Sequence, residues 1–247
     1  MSLSAKRIWG NKIQLVSVPL LDNYCCDWKG IINAITSRTR VVIVTNPNNP
    51  TGTALKYHEL VSLADNLDSN ILLVVDEAYI EFATTSGVKS MSDLTKDRPN
   101  ILITRSFSKF HGLAGLRLGY GIGSSRVVEK LRNYVTGFAG INRPAAIAAL
   151  TSLNDKKHQA KTRDVTQKMK NRLTMELLKY GLQPVPSETN FIWVNLNQDC
   201  KKLINYLRNQ RIYIASGYRW SQPEHMRISI GKPEEIDMFV SALAAFN

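Results

Sequence analysis

ILLVVDEAY, residues 71–79, is the stretch on which the reading of the fold turns. Five consecutive aliphatic residues run directly into Asp76, Glu77, Ala78 and Tyr79. Two other segments share this grammar. VVIVT (41–45) leads into Asn46-Pro47-Asn48-Asn49-Pro50-Thr51-Gly52, and ILIT (101–104) leads into Arg105-Ser106-Phe107-Ser108-Lys109. Unbroken β-branched and aliphatic runs are the pattern of strands covered on both faces of a parallel sheet. In such sheets ligands bind beyond the carboxyl ends of the strands. The three polar clusters are therefore expected to meet at one sheet edge, bringing together an amide, a carboxylate, a phenol, two hydroxyls and a lysine.

On either side of these runs, the spacing predicts a first strand over 12–18 that ends at Pro19, and a helix over 27–37 with Trp28, Ile31, Ile32 and Ile35 on one face. A second helix is predicted over 55–67, with Leu60, Leu63, Ala64 and Leu67 on one face. A glycine-punctuated strand is predicted over 116–122. Strands alternating with helix-length connections make an α/β layered fold. The texture changes after Asn142. Pro144 can open a helix, and a long helical stretch continues to Tyr180, broken near Asn154-Asp155. Strands over 190–195, 212–215 and 226–230, a helix over 199–209 and a final helix from Pro233 read as a βαβ-like α+β segment, a second and smaller unit.

Bulk properties exclude several classes. The 247 residues suffice for one large or two modest domains. With 44% hydrophobic and 21% charged residues the composition is that of an ordinary soluble globular protein. No stretch approaches the roughly 20 apolar residues of a membrane span, and the N-terminus lacks the apolar core of a signal peptide. Cys25, Cys26 and Cys200 form neither a disulfide framework nor a metal-ligand spacing. The expectation is a cytoplasmic protein with reduced thiols, no metal and no membrane partner. The net charge of +12 is compatible with anionic ligands, although a solvated basic surface is its ordinary meaning. The basic helix over 156–172 lacks interleaved aromatics, and no zinc-finger or RNA-recognition signature is present, so no nucleic-acid partner is expected.

Each candidate residue has a plain structural reading by itself. Lys109 is a surface charge, unless the cleft after a buried strand makes it a Schiff-base lysine. Asp76 ends an apolar run, where an unpaired carboxylate is costly. It is either tied to backbone or arginine donors, or it is the partner of a cationic ring nitrogen. Asn49 can be turn chemistry, and Tyr79 can be packing.

Together the motifs resemble a specific family. Asn-Asn-Pro-Thr-Gly (48–52), Asp-Glu-Ala-Tyr (76–79), Ser-Phe-Ser-Lys (106–109) and Gly-Leu-Ala-Gly-Leu-Arg (112–117) are similar to those of the fold type I pyridoxal-phosphate aminotransferases of class I/II. The histidinol-phosphate aminotransferases are the closest group. Glu188-Thr189-Asn190-Phe191 and Met226-Arg227-Ile228-Ser229-Ile230-Gly231 resemble the small domain of that group, and Val18-Pro19-Leu20-Leu21-Asp22-Asn23 also fits.

The resemblance implies a mostly parallel large-domain sheet over 1–142, incomplete at its N-terminus, and a linking helix plus a smaller α+β C-terminal domain over 143–247. It implies pyridoxal 5′-phosphate as cofactor, an amino acid and a 2-oxo acid as substrates, a role in amino-acid or histidine biosynthesis, and a homodimer for the full-length form. Lys109 would condense with the cofactor aldehyde and move the proton. Asp76 would pair with the pyridine nitrogen, and Asn49 and Tyr79 would bond the ring's phenolic oxygen. Ser106, Ser108 and Arg117 would bind the phosphate. Arg227, assisted by Asn190, would grip the substrate carboxylate as a bidentate fork.

Two departures accompany it. The family carries an upstream arm, a strand, a phosphate-binding helix N-terminus, a ring-stacking aromatic and a tyrosine that reaches the partner's site. These have no counterpart here, because residues 6–20 already align with a part of the family downstream of all of them. The family's substrate-phosphate arginine is also missing after the short strand, where Ile212-Tyr213-Ile214-Ala215-Ser216-Gly217-Tyr218-Arg219 stands. Arg219 is the substitute at hand, and an aromatic amino acid becomes as suitable a donor as histidinol phosphate. The rival readings are an amino-acid-phosphate decarboxylase on the same fold, an inactive truncated fragment or interaction module, and, on charge alone, a nucleic-acid binder.

Overall fold

The computed structural model describes residues 13–134 and 140–246. Its first sheet holds β1 (Val41–Thr45), β2 (Leu72–Asp76), β3 (Ile101–Ser106) and β4 (Gly119–Gly123), in that order. β1, β2 and β3 are parallel, with Thr45 opposite Asp76 and Asp76 opposite Thr104. The three polar clusters therefore leave the sheet at the same edge. β4 returns antiparallel to β3. Its glycines permit the approach: a Cβ on Gly119 would lie 2.7 Å from the Arg105 carbonyl oxygen.

One face of this sheet is the core. Val42, Val44, Leu73, Val75, Ile101 and Ile103 pack with Leu60 and Leu63 of α2 (Tyr57–Asp65) and with Met91, while Trp28, Ile31 and Ile32 of α1 (Trp28–Asn33) join at the margin. The opposite face carries Ile43, Val74, Asp76 and Thr104. Continuous apolar runs predicted strands covered on both faces. Among the described residues β1 instead alternates, with Val41 48% and Ile43 38% exposed, because α1 and α2 both join the Val42 side.

α3 (Ser125–Arg132) comes after β4. The predicted break at Asn154-Asp155 is present. α4 (Arg143–Asn154) ends there, and the Asp155 carboxylate caps α5 (Lys156–Lys179) by accepting from the His158 amide at 2.9 Å. Asn142 likewise caps α4 at Ala145, with Pro144 in the first turn.

The second sheet, in order β5-β6-β8-β7, consists of β5 (Gln183–Pro184), β6 (Phe191–Asn195), β7 (Ala215–Ser216) and β8 (His225–Ser229). Each neighbouring pair in it is antiparallel, but β6 and β7, both antiparallel to β8, run in the same direction and are joined through α6 (Lys201–Asn209). The βαβ-like reading therefore holds as a split unit with β8 between its strands, and the short turn over Gly217–Trp220 reverses the chain between β7 and β8. Ile192, Val194, Met226 and Ile228 pack against α5, α6 and α7 (Pro233–Phe246). The other face carries Phe191, Trp193, His225 and Arg227, since alternate residues share a face.

Other expectations shift more locally. The predicted strand over 12–18 is not a strand within its described part, 13–18; Lys12 lies outside the described residues. Ile13 and Val16 are exposed, and only Leu20 forms a bridge, to Cys26. The predicted strand over 116–122 begins only at Gly119, because Arg117 takes a left-handed conformation after the turn Ala114–Leu116. The strand expected over 212–215 is reduced to Ala215–Ser216. No helix among the described residues is long and apolar enough to cross a membrane.

Candidate active site

The site is assembled from the strand ends. At the end of β2, Asp76 Oδ1 accepts from the Thr104 hydroxyl and from the Ala78 amide, each at 3.2 Å. Both bonds fall on one oxygen, which fixes the carboxylate while Oδ2 retains capacity for a cationic donor. Three residues on, Tyr79 is buried, with its ring edge-on to Phe191 of β6 at 5.2 Å. Lys109, in the loop after β3, is exposed and holds its Nζ 5.5 Å from the Tyr79 ring centroid. That loop is folded by its own bonds: the Ser108 amide donates to Ser106 Oγ at 3.1 Å and the Leu113 amide to the Phe107 carbonyl at 2.9 Å.

After β1, Asn46 closes a loop by bonding both backbone groups of Leu55, at 2.7 and 3.1 Å. Asn49 projects from this loop, and its Oδ1 accepts from Arg227 Nη1 at 2.7 Å. The Arg227 guanidinium carbon lies 4.8 Å from the Phe191 ring and 5.4 Å from the Trp220 ring. Its Nε is buried without a hydrogen-bond partner. Burial pushes the Arg227 pKa below its ordinary value; the Tyr79 phenol opposes this and Arg219 adds to it. A desolvated guanidinium with an unsatisfied N–H, next to an amide, has the chemistry to take an anion.

The tertiary structure thus joins Lys109, Tyr79, Phe191, Arg227 and Asn49 through successive contacts, with Asp76 one short turn from Tyr79. Ser106 and Ser108 lie on the Lys109 loop. Arg117 is exposed, with Nη1 on the Ala114 carbonyl at 3.1 Å, and Arg219 is exposed, 5.6 Å from the Trp220 ring. Asn190 precedes β6 and its carbonyl accepts from the Ile230 amide at 2.8 Å. The side-chain carbonyl oxygen of Asn49 is engaged by Arg227, and its amide N–H2 is the group able to donate. Two surface cavities, about 100 and 300 Å³, lie around α6 and include none of these side chains.

Sequence reasoning passed over several supports. Glu77 and Arg105 point to the core face, opposite Asp76. Arg105 Nε and Nη2 both reach Glu77 Oε2, at 2.9 and 2.8 Å, and Nη1 reaches Glu81 Oε1 at 3.0 Å. Glu77 also accepts from Ser90 Oγ at 2.7 Å and from the Met91 amide at 2.8 Å. Buried Lys170 donates to the carbonyls of Ser187 and Thr189, just before Asn190. The available signal for Glu77 and Arg105 was a charged residue just past the apolar runs at 71–75 and 101–104, on the opposite side of its strand from Asp76 and Thr104.

The family model for aminotransferase class I and II matches residues 6–243. The chain belongs to this family. Among its class I and II aminotransferase relatives, histidinol-phosphate aminotransferase 2 of Pseudomonas fluorescens is 36% identical over 222 residues, which are 90% of this chain and 60% of the relative. The aromatic amino acid aminotransferase of Thermobifida fusca is 36% identical over 231 residues, 94% of this chain and 63% of the relative. The histidinol-phosphate aminotransferase of Sinorhizobium meliloti, solved in complex with pyridoxal-5′-phosphate, superposes with a TM-score of 0.86 at 27% identity, covering 95% of this chain and 65% of that one. The chain thus spans about three fifths of the length of the curated relatives it matches. The fold is that of the type I pyridoxal-phosphate aminotransferases: an α/β unit with a mostly parallel sheet, joined to the smaller antiparallel sheet and its helices.

Proposed function

We propose that this chain carries the catalytic half-site of a pyridoxal-phosphate-dependent aminotransferase, moving an amino group from histidinol phosphate or an aromatic amino acid to a 2-oxo acid. The observation that supports it most is the contact series Lys109–Tyr79–Phe191–Arg227–Asn49, which sets an amine beside a phenol at one end and an anion receptor at the other. The residues fit the cofactor's chemistry: a carboxylate fixed by one oxygen, phenol and amide donors, two serines with an arginine in one loop, and a lysine.

When bound, pyridoxal phosphate supplies a ring that withdraws electrons from the bond broken at the substrate Cα. Asp76 would face the ring nitrogen and keep it protonated. Tyr79 Oη and Asn49 Nδ2 would donate to the phenolic oxygen. Ser106, Ser108 and Arg117 would hold the phosphate. Arg227, whose Nε lacks a partner, would take the substrate carboxylate with Asn190 nearby, and the exposed Arg219 would face a substrate's distal anionic group. Lys109 Nζ would condense with the aldehyde and carry the proton from Cα. The two-part organisation accords with these roles: residues 1–142 for the cofactor, and 143–247 as linking helix and small domain. A homodimer in the cytoplasm is the form we propose for the full-length protein.

Pyridoxal phosphate added to the purified chain should give a new absorbance band above that of the free aldehyde. Borohydride should then fix a single label, mapped by mass spectrometry to Lys109. No band and no label, or a label spread over surface lysines, overturns the reading. Carbon dioxide release without a keto-acid product would assign the site to decarboxylation instead.

A further inference from the structure

His225 opens β8 two residues before Arg227, on the same face. Its ring stacks on Trp193 at 5.0 Å and 13°, Trp193 meets Trp220 edge-on at 5.5 Å, and Trp220 flanks the Arg227 guanidinium. His225 Nε2 lies 2.9 Å from the Tyr24 hydroxyl, while Nδ1 is buried without a partner. Tyr24 sits at φ 64, a conformation uncommon for a residue with a side chain and maintained only where surrounding contacts enforce it. Those contacts are present. The Tyr24 amide donates to the Leu21 carbonyl at 2.8 Å. The Tyr24 carbonyl accepts from Thr53 Oγ1 at 2.7 Å, and Thr53 also bonds Thr51 at 2.8 Å and accepts from the Asn48 amide at 2.8 Å.

One residue therefore touches both sides of the Asn49–Arg227 contact. Its main chain anchors the loop that presents Asn49; its hydroxyl anchors the strand that presents Arg227. We infer that Tyr24, acting through His225, is a positioning residue that sets the separation of Asn49 and Arg227 and so the aim of the carboxylate-binding guanidinium. Neither group touches substrate. The inference rests on the proposed carboxylate-binding role of Arg227.

The test is Tyr24→Phe, which keeps the ring and the backbone and deletes one hydroxyl. The first readout needs neither cofactor nor activity: the side-chain ¹⁵N–¹H NMR signal of Arg227 Nε. A single sharp signal in the parent should become broadened or split in Y24F. In the second, with pyridoxal phosphate loaded, KM for the amino acid should rise roughly three- to tenfold, the effect of one lost hydrogen bond, with kcat and the borohydride label on Lys109 unchanged. An unchanged Arg227 signal overturns the inference, as does a lowered melting temperature with KM unaltered, which would make the bond purely structural. If the parent forms no adduct at Lys109, the proposed function fails, and the NMR signal alone decides the inference.

Discussion

Replacing Arg105 with methionine should cost far more than its place on a short strand suggests. Arg105 holds two carboxylates at once, and its side chain is 15% exposed against 1% for Glu77 and 16% for Glu81. Methionine fills similar space, so packing loss alone costs below about 1.5 kcal/mol. The larger effect is two facing carboxylates left without their cation, since removing one partner of a buried pair costs about 3–5 kcal/mol. The modest exposure of Arg105 and Glu81 places the expectation at about 3 kcal/mol. With a urea slope of about 3 kcal/mol per molar, the midpoint falls by about 1 M.

The pH dependence identifies the cause. Burial raises the Glu81 pKa above its ordinary value, and Arg105 opposes that. Burial would lower the Arg105 pKa, but Glu77 and Glu81 outweigh it and the net shift is upward. Without Arg105 the carboxylate pKa rises further. A carboxylate whose folded pKa is raised contributes most below its unfolded value and loses that contribution as pH rises through the folded value. The deficit of R105M should therefore shrink as pH is lowered from 7 toward 4.5. A midpoint shift under about 0.3 M, or a deficit independent of pH, would refute the buried-charge argument.

Gly119→Ala should destabilise by about 1–3 kcal/mol in the same urea assay, because its Cβ would meet the Arg105 carbonyl oxygen at 2.7 Å and that backbone cannot yield. Arg227→Lys should raise KM for the amino acid about tenfold or more, the loss of a charge-assisted fork, while leaving the Lys109 label intact. Burial lowers the pKa of both His225 and His111 below 6.5. Histidines kept neutral in the fold stabilise it fully above that value, so the melting temperature should fall as pH drops from about 7 to 5.5, with a shallower slope in His225→Asn.

Much was legible in the chain because local chemistry enforced it. The apolar runs at 41–45, 71–75 and 101–104 form neighbouring strands, and the helix opened at Pro144 and its break at Asn154-Asp155 fall where the sequence placed them. The family resemblance, carried by short motifs, matches the family model over nearly the whole chain. Less legible were the pairings. The second sheet reads as βαβ-like, and β6, α6 and β7 follow that order, but nothing local shows that β8 inserts antiparallel between β6 and β7. The strand expected over 12–18 has the right composition, but 13–18 finds no ladder partner among the described residues.

The order of residues settled which groups stand at strand ends, because a strand exposes its next polar residue wherever its apolar run stops. It did not settle which of two successive residues faces the site. Asp76 and Glu77 are adjacent in sequence, yet one meets Thr104 and the other is paired with Arg105 on the core face. Nor did it bring Arg227 to Asn49, or Tyr24 to His225. Those contacts join segments that a local pattern cannot relate, and only the packing of one sheet's aromatic face against the other's strand ends fixes the distance between them.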